Sequence, residues 1–435
     1  MNLFELSLRW KGFPLEEAKK QLKYIQSIPE NEYGAYIEQQ RMALLQHHLT
    51  HNPFYQGFCA NRSVLKWKDV PIMQKSDLQK PLKERLSNGY TPKNVYVNKT
   101  SGSSGHPFIF AKDKLCHALT WAEILDRFGW YGIDFNSTLQ ARFYGIPLDW
   151  IGYQKERIKD LLSARYRFPI FDLSDKKLEK ILRAFRKKPF DYINGYTSSI
   201  VLFAKFLNKK GIHLKEICPT LRYCIVTSEM LFESDKKLME SCFGVPVVNE
   251  YGASELDLIA FTNRENEFVL NNETLYVEIL DEKDRPVPLG KEGRIVITGL
   301  YNLAHPMIRY DIGDTGALDE KSTAKNPLLK TLIGRTNDVA HLPSGKTVPG
   351  LTFYYVTKSI IEDDGNVKEF VIEQHQLDRF KIMYTSHQEL LPEEIATIKK
   401  ALFQYLEDGL TLEFSRIGVL DRTKRGKLKQ FVSYL

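Results

Sequence analysis

The sequence predicts an α/β protein made of a large N-terminal domain with mixed sheets and helices and a small α+β C-terminal domain. Three observations lead there. From about residue 135 to 300, amphipathic helical runs alternate with short apolar, β-prone runs, as in an α/β core. After Gly334-Arg335-Thr336-Asn337-Asp338 the order becomes strand–strand–helix–strand over about 100 residues, enough for a second small domain. The 435 residues are 43% hydrophobic and 26% charged, which supports a sizeable buried core and argues against wholesale disorder. The expected division is 1–335 and 336–435.

Composition narrows the function classes. Lys+Arg total 61 against 54 Asp+Glu, a net charge of +7. That permits an anionic ligand but falls short of a dedicated nucleic-acid binder, so no nucleic-acid partner is expected. No apolar run reaches the roughly 18 residues of a membrane span, so no integral membrane association is expected. The start, MNLFELSLRWKGF, is interrupted by Glu5 and Arg9 and does not read as a secretory signal. Cys59, Cys116, Cys218, Cys224 and Cys242 are scattered and odd in number, which points away from a disulfide framework and towards the cytoplasm.

Taken in order, residues 1–90 read as helical and irregular, with turn clusters at Asn52-Pro53 and Ser87-Asn88-Gly89. Two β-prone runs, 95–98 and 108–110, flank a Gly/Ser loop. Leu115, Leu119, Ala122 and Leu125 then recur at helical spacing. Leu178, Ile181, Leu182 and Phe185 mark a second helix, and 200–207 a third that ends before Gly211. Runs 223–226 and 245–248 read as short buried strands, and 274–299 as a strand pair around a charged turn at 281–286. Beyond the boundary come a hairpin over 338–348, β-prone runs at 367–373 and 379–385, a helix with Ile395, Ile398, Leu402 and Tyr405, a strand at 411–419 and a basic segment at 421–430.

The Gly/Ser loop carries the strongest local signal. Thr100, Ser101, Gly102, Ser103, Ser104 and Gly105 combine backbone freedom with hydroxyl donors, a chemistry suited to wrapping phosphate oxygens. By itself it also reads as a polar hairpin turn. It is not a Walker A loop, since no Gly-Lys-Ser/Thr follows and no helix opens on it.

The loop resembles the phosphate-binding signature of adenylate-forming enzymes, a superfamily of acyl-CoA synthetases, adenylation domains and luciferases. Four further motifs resemble that superfamily's, in order: Asn249-Glu250-Tyr251-Gly252-Ala253-Ser254-Glu255, Arg309-Tyr310-Asp311-Ile312-Gly313-Asp314, the hinge Gly334-Arg335-Thr336-Asn337-Asp338, and Gly426-Lys427. Asn52-Pro53-Phe54-Tyr55 and the segment 70–78, with the short length, resemble the phenylacetate–CoA ligase branch. The ending RGKLKQFVS is most similar to a subgroup linked to capsular and surface polysaccharide synthesis.

The resemblance implies an ATP- and Mg²⁺-dependent ligase that activates a carboxylic acid as an acyl-adenylate. The acyl group would then pass to coenzyme A or to an amine such as an amino sugar. It implies β- and γ-phosphate binding by residues 100–105, adenine stacking on Tyr251 beside Gly252, Mg²⁺ placement by Glu255 with Ser254, ribose binding by Asp314, and a ribose or phosphate contact from Arg335. Lys427 would swing in with a mobile C-terminal domain to bridge carboxylate and α-phosphate. By position, Tyr144, Asn194, Tyr196 and Thr197 would line the acid pocket with Ala253 at its floor, and the polar Asn194 and Thr197 suggest a polar substrate.

Three departures support a rival reading, a nucleotide-binding scaffold without catalysis. His106 stands where lysine is frequent, Asn337 where the hinge has Asp or Lys, and Thr227-Ser228-Glu229 where smaller residues line the adenine pocket. Retention of Glu255, Asp314, Arg335 and Lys427 favours the enzyme. His47, His48 and His51, and separately His213, Cys218 and Cys224, lack a complete zinc-ligand pattern, and no zinc site is expected from them.

Overall fold

The computed structural model describes residues 3–60, 66–100, 108–146, 150–333, 339–349, 352–353, 366–386, 388–418 and 431–435. Most of the Gly/Ser loop, the 334–338 hinge and the segment carrying Lys427 lie outside the described residues.

Helices Leu15–Ser27, Glu30–His51 and Pro53–Phe58 dominate the N-terminal region. The Asn52-Pro53 signal is a helix start: the Asn52 side chain accepts from the Tyr55 N–H at 2.9 Å, with proline in the first turn. Strands β1 (Tyr96–Lys99) and β2 (Ile109–Lys112) pair antiparallel on either side of the loop.

A seven-stranded sheet forms the centre. Its strands are β3 (Gln140–Phe143), β4 (Arg165–Phe168), β5 (Tyr192–Tyr196), β6 (Tyr223–Thr227), β7 (Val247–Ala253), β8 (Asp257–Thr262) and β9 (Phe268–Leu270), in the order β4-β3-β5-β6-β7-β8-β9. Strands β3 to β7 run parallel, so each link must cross over. Helices Trp150–Leu162, Asp175–Lys187, Thr197–Lys209 and Glu233–Phe243 make those crossovers. Helix Asp175–Lys187 buries Leu178, Ile181, Leu182 and Phe185, the four residues its periodicity marks. These pack with Phe143, Ile193, Cys224 and Val226 on one face of the sheet. Helices Leu15–Ser27 and Lys114–Gly129 cover the other face, over Tyr192, Ile225, Val248 and Phe261.

Strands β10 (Leu275–Leu280), β11 (Gly293–Gly299), β12 (Tyr310–Leu318) and β13 (Leu329–Ile333) form a four-stranded antiparallel sheet, and β10–β11 is the expected strand pair. A hairpin follows, β14 (Val339–His341) with β15 (Thr347–Pro349). Then β16 (Val367–Gln376), β17 (Arg379–Ser386), β18 (Thr411–Arg416) and β19 (Phe431–Ser433) assemble in the order β18-β17-β16-β19, with helix Pro392–Tyr405 between β17 and β18. The Phe171 and Tyr405 rings meet edge-on at 5.0 Å, and the Leu173 N–H donates to Thr347 O, so the C-terminal residues pack on the helical layer of the large sheet.

Two elements differ from expectation. Strand β7 starts two residues later than the run at 245–248 and continues to Ala253, which puts Glu250, Tyr251 and Gly252 on a strand. Within β12, Gly313 takes a φ of 79° and absorbs an irregularity in pairing with β11. Strand β19 has no counterpart in the sequence reading, yet Phe431 is fully buried and stacks on Phe353 with ring centroids 4.4 Å apart.

Gly195 lets β3 and β5 lie together. A Cβ there would stand 2.3 Å from the Phe143 carbonyl oxygen, a backbone atom that cannot swing aside. Gly195→Ala should therefore destabilise the fold by about 1–3 kcal/mol or more, measurable by chemical denaturation.

Candidate active site

The carboxyl ends of β3, β5, β6 and β7 open into a cavity of ≈ 620 Å³ that reaches β12 and β13 and runs back between the sheet and helix Lys114–Gly129. Such a crevice is where open parallel sheets take ligands. Thr100, Tyr144, Asn194, Tyr196, Tyr251, Gly252, Ala253, Ser254, Glu255 and Asp314 all line it. Residues 101–105, Arg335 and Lys427 lie outside the described residues, as do His106 and Asn337.

One end is built around two buried carboxylates. The Tyr251 hydroxyl donates to Asp314 Oδ2 at 2.8 Å, joining β7 to β12 and fixing the Tyr251 ring in the wall. Each carboxylate oxygen has two acceptor sites, so this bond is compatible with Asp314 also accepting from a diol. The Tyr310 hydroxyl donates to Glu255 Oε1 at 2.8 Å, and Lys75 Nζ stands 3.6 Å from the same oxygen. Glu255 is 4% exposed, so these partners offset the loss of water around its charge. Gly252 serves the backbone here: a Cβ would lie 2.5 Å from the Asp257 carbonyl oxygen, at the irregular pairing of β7 with β8.

Lys75 is a functional candidate that the sequence reading treats only as part of a branch marker. Met73 bridges to Tyr310, with Met73 N–H donating to Arg309 O and Asp311 N–H donating to Met73 O. That strap carries Lys75 to Glu255. Arg309 holds a left-handed φ of 45° immediately before the bridge.

The other part of the cavity is more polar than a doubly covered parallel sheet usually is. Gln140 and Arg142 on β3, Arg165 on β4 and Asn194 on β5 point to one face by register. Arg142 donates to Gln140 Oε1 at 3.1 Å and to Asn194 Oδ1 at 3.5 Å, with its guanidinium 3.8 Å from the centre of the Tyr144 ring. Tyr144 and Tyr196 pack at 4.6 Å. The alternation QARF and RYRF is the sequence signal for this polar face.

Thr197 does not line the cavity. Its hydroxyl lies within hydrogen-bonding reach of the carbonyls of Thr227 and Glu229 and holds that loop from behind. In the loop, Ser228 adopts a left-handed φ of 70°, a conformation glycine takes without strain. Burial pushes the Glu229 carboxyl up to about 7, although the Ser198 N–H at the start of helix Thr197–Lys209 donates to it at 2.8 Å. The neutral acid is the form this loop favours.

His48 is buried against Asn302 O at 2.9 Å, and burial lowers its pKa to about 3. Cys218 contacts the carbonyls of Lys188 and Phe190. Among the described residues, no group of three or more His, Cys, Asp or Glu is placed to hold a metal, and no helix is long and apolar enough to cross a membrane.

A carboxyl whose pKa is raised on folding stabilises the native state below its unfolded pKa, and that contribution is lost as pH rises through the folded value. Wild-type stability should therefore fall between about pH 4.5 and 7 from this group. Glu229→Gln should flatten that slope and melt a few degrees higher than wild type at pH 8, read by thermal denaturation across pH.

Comparisons with known proteins agree with this architecture. No family model matches the chain. It is 24% identical over 291 residues to Protein CapK of Staphylococcus aureus, covering 63% of this chain and 60% of that protein. It is 25% identical over 167 residues to the phenylacetate–coenzyme A ligase of Thermus thermophilus, covering 37% of this chain and 36% of that protein. These matches span less than two thirds of either relative. The crystal structure of 2-hydroxyisobutyryl-CoA ligase in its thioesterification state superposes with a TM-score of 0.58 at 16% identity, over 94% of this chain and 91% of that one. Its open conformation gives 0.57 over 93% and 92%. The chain has the mixed α/β fold of the adenylate-forming ligases, and its sequence resembles Protein CapK and a phenylacetate–coenzyme A ligase.

Proposed function

We propose that this protein is an ATP- and Mg²⁺-dependent acid ligase. It joins a carboxylic acid to AMP with release of pyrophosphate, then passes the acyl group to a thiol or amine. The observation that carries this reading is the convergence of Thr100, Tyr251, Glu255 and Asp314, from three separated motifs, on one cavity. The relatives support it: one is a coenzyme A ligase, and the superposed ligase was crystallised with an acyl-AMP and CoA.

In this reading the Tyr251 ring offers a planar face to adenine, and Asp314 accepts from the ribose hydroxyls. The donor set suits Mg²⁺, which uses few protein carboxylates and keeps phosphate oxygens: Glu255 would hold it, with Ser254 beside it. The ion would neutralise phosphate charge as the acid oxygen attacks the α-phosphorus. Residues 100–105 would cradle the leaving pyrophosphate, with Arg335 on the nucleotide. We assign 336–435 as a mobile cap whose Lys427 bridges carboxylate and α-phosphate, then withdraws so that the acceptor can enter. Coenzyme A is one acceptor. An amino sugar is the other, favoured by the similarity to CapK and the reading of the C-terminal segment as polysaccharide-linked. A cytoplasmic location fits the five free cysteines.

Acid-dependent ATP–pyrophosphate exchange across a broad acid panel should be detectable, with hydroxamate trapping of the adenylate. Absence of both exchange and nucleotide binding would overturn the reading. Nucleotide binding without exchange would favour the scaffold. Asp314→Ala should raise KM for ATP by about ten- to a hundredfold. Lys427→Ala should lose adenylation while retaining ATP binding. Intact-mass analysis with and without coenzyme A separates the acceptors.

A further inference from the structure

Cations in this layer of the molecule generally have acids beside them. Arg167 is held by both oxygens of Asp160 at 2.7 and 2.8 Å and by Glu156 at 2.8 Å. Lys112 is bonded to Asp257, Lys75 faces Glu255, and Arg127 is bonded to Glu273 at 2.5 Å. Arg142 and Arg165 differ. Both line the cavity, on adjacent strands, and neither has a carboxylate oxygen within 4.0 Å among the described residues. Among the described residues Arg142 hydrogen-bonds to the amide oxygens of Gln140 and Asn194 and lies against the Tyr144 ring, and its buried Nε has no hydrogen-bond partner there. Arg165 lies 5.9 Å from the Phe135 ring centre.

The carboxylates that act on this pair, Asp160 on Arg165 and Glu156 and Glu250 on Arg142, do so from beyond ion-pair distance, and Asp160 and Glu156 are already bonded to Arg167. Glu229 is turned to the Ser198 N–H. Glu250 lies on β7, hydrogen-bonded to Thr227, and burial raises its pKa even though Arg142 opposes the rise. Burial and the neighbouring Arg142 also depress Arg165 to about 10. Two half-buried like charges with no ion pair among the described residues repel one another, and a guanidinium fork is matched by a planar anion. Trp121, Ile124 and Phe128 supply an apolar wall to the same cavity, and the two arginines are the cations that β3 and β4 add to its lining.

We propose that the acid activated here carries a second anionic group, a dicarboxylic acid being the simplest case, held by Arg165 together with Arg142. Its reacting carboxylate would point towards the Glu255 end and its second anion towards β4. The reaction assigned to this acid rests on the ligase reading; the anion site does not.

Two measurements test it. In pyrophosphate exchange, length-matched pairs such as butyrate with succinate and hexanoate with adipate should favour the diacid by about tenfold or more in kcat/KM. A phosphonate-bearing acid distinguishes a carboxylate site from a general anion site. Arg165→Gln should reduce the preference about ten- to a hundredfold, with Arg165→Lys restoring part of it. Without ATP, the diacids should raise the melting temperature of wild type more than the monoacids do, and this excess should vanish in Arg165→Gln. Equal use of mono- and diacids, or an undiminished preference in a folded Arg165→Gln, overturns the proposal. If no acid supports exchange, the ligase reading fails while the melting experiment still decides the anion site. A diacid that gives no excess stabilisation there overturns it. If Arg165→Gln does not fold, Arg165→Lys supplies the comparison.

Discussion

A buried carboxylate organises this structure. Glu255 sits almost out of water at the end of β7, and its charge requires donors in place before it can be tolerated. Those donors come from far away in sequence. Tyr310 arrives on β12, and Lys75 arrives on the 70–78 segment that bridges to β12 at Met73. One ionised group thus ties the parallel sheet, the antiparallel sheet and an N-terminal strap to one another. Removing a single donor leaves a charge stranded, which is worse than never having had the pair. The second bond of this type, from Tyr251 to Asp314, fastens β7 to β12 again beside it.

Where one physical signal dominates, the fold is legible in the sequence. Helix Asp175–Lys187 has one apolar face, and that face is the one buried. Strands β6, β10 and β11 are short runs between clear breaks. Legibility fails where partners decide. Strand β19 is three residues long after a basic run, and only pairing with β16 makes it a strand. The irregular stretch of β12 around Gly313 likewise takes its form from the pairing of its flanks with β11 and β13.

The candidate site divides in the same way. Tyr251, Glu255 and Asp314 are legible because they stand in ordered motifs of the sequence. Lys75 is not, because its meaning depends on a backbone bridge across more than two hundred residues. Arg142 and Arg165 are hidden for another reason. Their alternation runs over only four residues on each strand, a weak signal by itself, and the parallel register is what sets them on one face. Thr197 shows the converse: a polar residue at the right position whose hydroxyl serves its own backbone.

The strap at Met73 has a consequence for how the chain comes into being. Synthesis runs from the N-terminus, so Lys75 emerges first, Glu255 much later and Tyr310 last. Between the second and third of these events the parallel sheet has all its strands, yet the carboxylate lacks its hydroxyl donor, and the strap has no β12 to bridge to. The nascent large domain is therefore incomplete until residues beyond 310 have left the ribosome. Its cavity lacks part of its wall until β12 and β13 supply Ile312, Asp314, Lys330 and Leu332.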